Sequence, residues 1–145
     1  LDTMAELREL LEGAGEELSL HRGYAERCGA NLDPKPAEVT LAYTDFLLRV
    51  AWSAPTGHTL AAMTPCMRLY HELARHLAPT ATGPYREWVD TYAGDGFAEL
   101  VATLEALLEE HVDGADATAA AHYATAMRLE LAFFDQAYAG VGANL

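Results

Sequence analysis

Cysteine is scarce in this chain: Cys28 and Cys66 are the only two in 145 residues. Two thiols make neither a disulfide scaffold nor a four-thiolate metal site. One bridge between them is the most they allow, nothing in the sequence requires it, and a reducing cytosol is the simpler expectation. Basic residues are also few, nine against 22 acidic ones, for a formal net charge of −13. That balance argues against nucleic acid and against anionic membrane surfaces as partners. It leaves small molecules open, because a site can differ in sign from its surroundings. No apolar run approaches the roughly 18 residues of a membrane span. The opening LDTMAELREL lacks the basic segment and apolar core of a signal peptide, which again points to the cytoplasm. It does not begin with methionine, which fits a processed, trimmed or incomplete chain. β-Branched residues are few and no alternating run stands out, so no strand is expected. A fixed-period repeat, a low-complexity segment and a Gly-rich phosphate loop are also missing.

What the chain does contain is an apolar fraction of 51% with 21% charged residues, a globular balance. Its length suits one domain, residues 1–145, able to bury roughly 68–70% of its unfolded surface. Helical spacing runs through almost all of it. Leu1–Gly29 reads as a helix carrying Leu7, Leu10, Leu11, Leu18, His21, Tyr24, Ala25 and Cys28, with Gly29 as C-cap and a break expected at Gly13 and Gly15. NLDPKP reads as a linker. Pro36–Ser53 follows, with Val39, Tyr43, Phe46, Leu47 and Val50 on one stripe. Thr56–Pro79 is the next helix. Pro84 opens a short one, PYREWVDTYA, which Gly94 and Gly96 break. Phe97–His111 and Asp116–Tyr138 complete the set, and GVGANL reads as a frayed tail. The fold class is all-α, helices around one core.

Two positions stand out. In Ala61–Tyr70, Pro65 falls inside a helix, removing a donor and pressing on the carbonyl of Ala61. Cys66 follows it, on the stripe of Ala62, Leu69, Tyr70, Leu73 and Leu77. A buried cysteine usually behaves as a small hydrophobe, and becomes a nucleophile only where an acid/base or a positive charge assists it. In the last helix the stripe Tyr123, Met127, Glu130, Phe133, Phe134 and Ala137 puts Glu130 in the middle of the apolar face. A carboxylate there must be protonated or hydrogen-bonded. It is either a structural glutamate held by tyrosine hydroxyls or an arginine, or a general acid/base. Tyr43, Tyr70 and Tyr92 lie on the apolar sides of three different helices, as core tyrosines or as the lining of a pocket for a flat polar ring. His71-Glu72 followed by His76 is not HExxH, and the six histidines assemble no metal set, so no metal is expected. Glu105, Glu109 and Glu110 read as a solvated face.

These pieces recur together elsewhere. LAYTDFLLRVA (41–51), AAMTPCMRLY (61–70), PYREWVDTYAGDGF (84–97) and RLELAFFDQA (128–137), with a weaker stretch at 17–29, resemble the TenA family (thiaminase II, aminopyrimidine aminohydrolase). Pro-Cys-x-x-x-Tyr, YREW-x-x-x-Y and Glu-x-x-Phe-aromatic-Asp appear in the family's order. The resemblance implies a haem-oxygenase-like helical bundle, of which this chain is the C-terminal two-thirds. It implies that Cys66 is the nucleophile that adds to a pyrimidine ring and that Glu130 bonds the ring nitrogen and shuttles its proton. Tyr43, Tyr70 and Tyr92 then stack on the ring or hold Cys66 and Glu130. The implied reaction is hydrolysis of 4-amino-5-aminomethyl-2-methylpyrimidine to the hydroxymethyl form in thiamin salvage, with thiamin a poorer substrate, by a cytoplasmic homotetramer without metal or cofactor. The family has further helices upstream, with an aspartate for the pyrimidine amino group; no match for it is found, and Asp2 is too far upstream of the matched core. Phe134 stands where the family usually has tryptophan. The alternative is a non-catalytic module that keeps a pyrimidine pocket or serves as a helical interaction surface.

Overall fold

The computed structural model describes Thr3–Arg27 and residues 29–142. Cys28, Leu1, Asp2 and the last three residues of the tail lie outside them. The described residues are helical and turn-forming, without a strand, so the all-α expectation holds. They divide at Ala37 into two compact units.

The first unit holds α1, Thr3–Arg27. The break expected at Gly13 and Gly15 does not occur, since the helix runs through both. Each glycine costs about 1 kcal/mol against alanine, and 25 residues rich in Leu and Glu carry that cost without interruption. The C-terminus is closed as expected by Gly29, which takes φ +65°. Its N–H reaches the Glu26 carbonyl at 3.2 Å and the N–H of Ala30 reaches Ala25 at 2.8 Å, the paired bonds of a Schellman motif. The linker follows as irregular chain, where Asn31 Oδ1 accepts the N–H of Asp33 at 3.0 Å.

The second unit is built on α3, Thr56–Leu77. It packs against α2 (Glu38–Ser53), α4 (Arg86–Ala93), α5 (Asp95–His111) and α6 (Ala117–Gly142). A helix touched on several sides has no single buried stripe. Leu60, Ala61, Ala62, Thr64, Pro65, His71 and Ala74 are buried around most of its circumference, whereas Leu77, expected on the apolar stripe, is 38% exposed. Small residues let the neighbours approach. The α5 C-terminus lies so close to Gly57 that a Cβ there would stand 2.5 Å from the His111 carbonyl oxygen. Phe46 and Val50 of α2 meet Ala62 of α3 and Ala126 of α6 in the core, with Tyr43, Leu47 and Leu129 packed around them.

Other boundaries shift in ways that local chemistry explains. Pro84 opens a 3-10 turn, Gly83–Tyr85, before α4 begins. Gly94 alone separates α4 from α5, and Gly96 sits inside the first turn of α5. Asp116 caps α6, its Oδ1 accepting the N–H groups of Thr118 and Ala119 at 2.9 and 3.0 Å. Its Oδ2 holds His58 Nε2 of α3 at 2.9 Å. Glu105, expected on a solvated face, is half-buried and pairs with Arg68, which also holds Glu72 at 3.3 Å.

The Gly57 contact makes a direct prediction. Gly57→Ala drives a methyl into backbone that cannot rotate away, so the variant loses about 1–3 kcal/mol, read as a lower denaturant midpoint with an unchanged slope.

Candidate active site

Glu130 is a buried acidic side chain among the described residues. The 3.6-residue period of α6 turns Ala119, Ala126 and Glu130 inward. Met127, Phe134 and Ala137, expected on the same face, are exposed, Met127 and Phe134 at 37% and 36%. The carboxylate is 1% exposed. Its Oε1 accepts the hydroxyl proton of Tyr43 at 2.7 Å. Its Oε2 is buried with no hydrogen-bond partner among the described residues. A neutral hydroxyl compensates one oxygen; the other keeps its lone pairs for a donor.

Tyr43 comes from α2, one turn before Phe46, which anchors that face in the core. Burial comes first, and then the hydrogen bond to Glu130 and its negative charge, in pushing the Tyr43 hydroxyl well above the usual tyrosine range. Cys66 and Tyr70 act on the same hydroxyl electrostatically in the same direction. Cys66 is half-buried on α3 and is in no disulfide among the described residues. Pro65 before it is buried and leaves the Ala61 carbonyl without its usual i+4 donor.

Tyr70 stands one turn beyond Cys66 and joins an aromatic wall. Its ring centroid is 5.4 Å from Tyr92, 5.9 Å from Trp88 and 5.8 Å from Phe134. Tyr92 of α4 is 1% exposed and rests against Trp88 at 4.8 Å and Phe97 at 4.7 Å. All are tilted or edge-on pairs, the arrangement aromatic quadrupoles favour. The backbone carbonyl of Tyr92 accepts a hydrogen bond from Nδ1 of His71 at 2.8 Å. That histidine drew attention in the sequence only as half of a failed metal motif. Of the five side chains singled out from the sequence, Tyr43 and Glu130 are joined by a hydrogen bond and Tyr70 and Tyr92 by a ring contact, while Cys66 and Tyr70 act on the Tyr43 hydroxyl electrostatically. Cys28 lies outside the described residues.

No group of three His, Cys, Asp or Glu side chains suited to a metal occurs among the described residues. A cavity of about 260 Å³ opens between α3, α5 and α6, lined by Ala61, Leu108, Val112, Asp116 and Tyr123 among others. It contains none of the five. The site is therefore placed by its polar geometry. A buried carboxyl with one oxygen fixed and one open can exchange a proton with a flat heterocycle, while a thiol on the adjoining helix supplies a nucleophile.

Tyr43→Phe leaves both Glu130 oxygens without a donor and costs about 1–3 kcal/mol of stability near neutrality. The alkaline limb tests the same bond. A hydroxyl whose folded pKa is raised contributes stability in full below about pH 10, lost as pH rises above it. Wild-type denaturant stability should fall more steeply above pH 10 than that of the phenylalanine variant.

Comparison with known proteins gives this geometry a lineage. The TENA/THI-4/PQQC family model matches residues 1–140. An aminopyrimidine aminohydrolase of Halalkalibacterium halodurans is 36% identical over 151 residues, covering 95% of this chain and 67% of the relative. A thiamine biosynthesis multifunctional protein of Corynebacterium efficiens is 36% identical over 128 residues, 83% of this chain and 17% of that protein. A solved TenA homologue from P. horikoshii OT3 superposes with a TM-score of 0.86 at 26% identity, covering 97% of this chain and 70% of that one. The helical bundle expected from the motifs is the one observed, and the chain belongs to the TENA/THI-4/PQQC family.

Proposed function

We propose that this chain is a C–N hydrolase of the thiaminase II type, converting 4-amino-5-aminomethyl-2-methylpyrimidine and water to the hydroxymethyl pyrimidine and ammonia. The observation that carries the reading is the Glu130 carboxyl, 1% exposed, with Oε1 held by Tyr43 and Oε2 unpartnered. The similarity to the H. halodurans aminopyrimidine aminohydrolase supports the same reaction class.

In this reading Glu130 Oε2 faces a pyrimidine ring nitrogen and delivers a proton to it. Protonation makes the ring electrophilic. The Cys66 thiol gives its proton to the exocyclic amine and forms a C–S bond to the ring, and the electron pair it contributes leaves with that amine, as ammonia, when the C–N bond at the methylene breaks. Water adds at the methylene, the C–S bond breaks with its pair returning to sulfur, the sulfur takes back the proton that water gives up, and Glu130 recovers the ring proton. Tyr43 keeps Oε1 occupied so that Oε2 is the reactive oxygen. Tyr70 supplies a face on which the ring rests, and the buried Tyr92 backs it within the aromatic wall they share with Trp88. No metal or cofactor is assigned a step. A role in thiamin salvage, a homotetrameric assembly and a cytoplasmic location belong to the same reading and rest on the family resemblance.

The test is release of ammonia from the aminomethyl pyrimidine. Cys66→Ala should abolish turnover, and Glu130→Gln, which fits the space but carries no titrating proton, should lower kcat/KM by about 10²-fold or more. Full activity in Cys66→Ala overturns the reading. Calorimetric binding of the hydroxymethyl pyrimidine without any hydrolysis replaces it with a pyrimidine-binding module.

A further inference from the structure

We infer that His71 is a positioning residue of this site, acting through the backbone of Tyr92. The inference rests on the hydrolase reading, because it takes Tyr92 as part of the substrate pocket.

The helix that carries Tyr92 is eight residues long, and its last four carbonyls have no partner within it. Gly94 leaves the helix in an extended conformation, and its N–H reaches only the Thr91 carbonyl at 3.4 Å. The Tyr92 carbonyl is buried with its residue and so needs a donor. His71 supplies it: Nδ1 stands 2.8 Å from that oxygen. A carbonyl oxygen only accepts, so the ring carries its proton on Nδ1. The imidazole is 8% exposed and lies beside Phe97 at 6.3 Å, a ring that Tyr92 also touches. His71 follows Tyr70 directly on α3, and Tyr70 packs on the Tyr92 ring at 5.4 Å. One bond therefore ties the end of α4 to the helix that bears Cys66, and sets where the Tyr92 ring meets Tyr70. A buried helix end without such a donor would settle elsewhere and take the ring with it.

The experiment separates the two ring nitrogens. Asn presents a donor near the place of Nδ1, Gln one near the place of Nε2. Steady-state hydrolysis is measured for wild type, His71→Asn and His71→Gln. In each, Trp88 emission is recorded in a Trp52→Phe background, Trp52 being 88% exposed and outside the site. The Gln variant should raise KM about tenfold with kcat within about twofold, as expected when ground-state and transition-state binding are lost together. It should also shift Trp88 emission, because Trp88 lies 4.8 Å from the Tyr92 ring. The Asn variant should recover most of the KM and the wild-type emission. Equal KM in both variants, or an Asn variant as impaired as the Gln one, overturns the inference while leaving the hydrolase reading intact. A wild-type protein without turnover overturns the hydrolase reading instead. In that case emission decides whether the tie itself exists: unchanged emission in both variants refutes it.

Discussion

The bond between Tyr43 and Glu130 is the constraint on which the site depends. A carboxylate taken out of water is costly to keep unless something donates to it. Here the donor is a hydroxyl from α2, and the acceptor sits on α6 at 1% exposure. The bond spans 87 positions of sequence and closes only when α2, α3 and α6 are packed as they are. It also divides the labour of the carboxyl group. One oxygen is held by the fold, and the other has no hydrogen-bond partner among the described residues.

That division relies on α3. Its small residues, Gly57, Ala61, Ala62 and Ala74, let four other helices come close, and its Tyr70 meets Tyr92 of α4. Pro65 is buried within that crowded helix and lacks the N–H that would otherwise bond the Ala61 carbonyl.

Much of this was legible in the chain before any coordinates. The helical period placed Glu130 on the buried side of its helix, because one apolar face of an amphipathic helix is predictable from spacing. It also put Tyr43, Tyr70 and Tyr92 inward, and proline beside cysteine marked the central helix. What was not legible depends on neighbours. Leu77, Met127 and Phe134 hold apolar positions yet are exposed, since where a stripe ends depends on where the partner helix ends. Gly13 and Gly15 did not interrupt α1, because propensity is a weak term against a long run of helix formers. His71 was invisible as a donor to Tyr92, for no periodicity reports that a helix 21 residues away will need its last carbonyl satisfied. The pairing of His58 with Asp116 was hidden for the same reason. The roles assigned to Cys66 and Glu130 rest on the family motifs; spacing alone makes Cys66 a core thiol first and leaves Glu130 open between a structural glutamate and an acid/base.

Under the hydrolase reading, Tyr43 and Glu130 act as one unit in the chemistry. A double-mutant cycle on kcat/KM for the aminomethyl pyrimidine, using Tyr43→Phe, Glu130→Gln and the double variant, measures whether they do. If the phenol matters only through the carboxyl group, the double variant is no slower than Glu130→Gln alone, with a coupling of about 0.5–3 kcal/mol. Losses that add to within about 0.5 kcal/mol would mean two independent residues and would contradict the account.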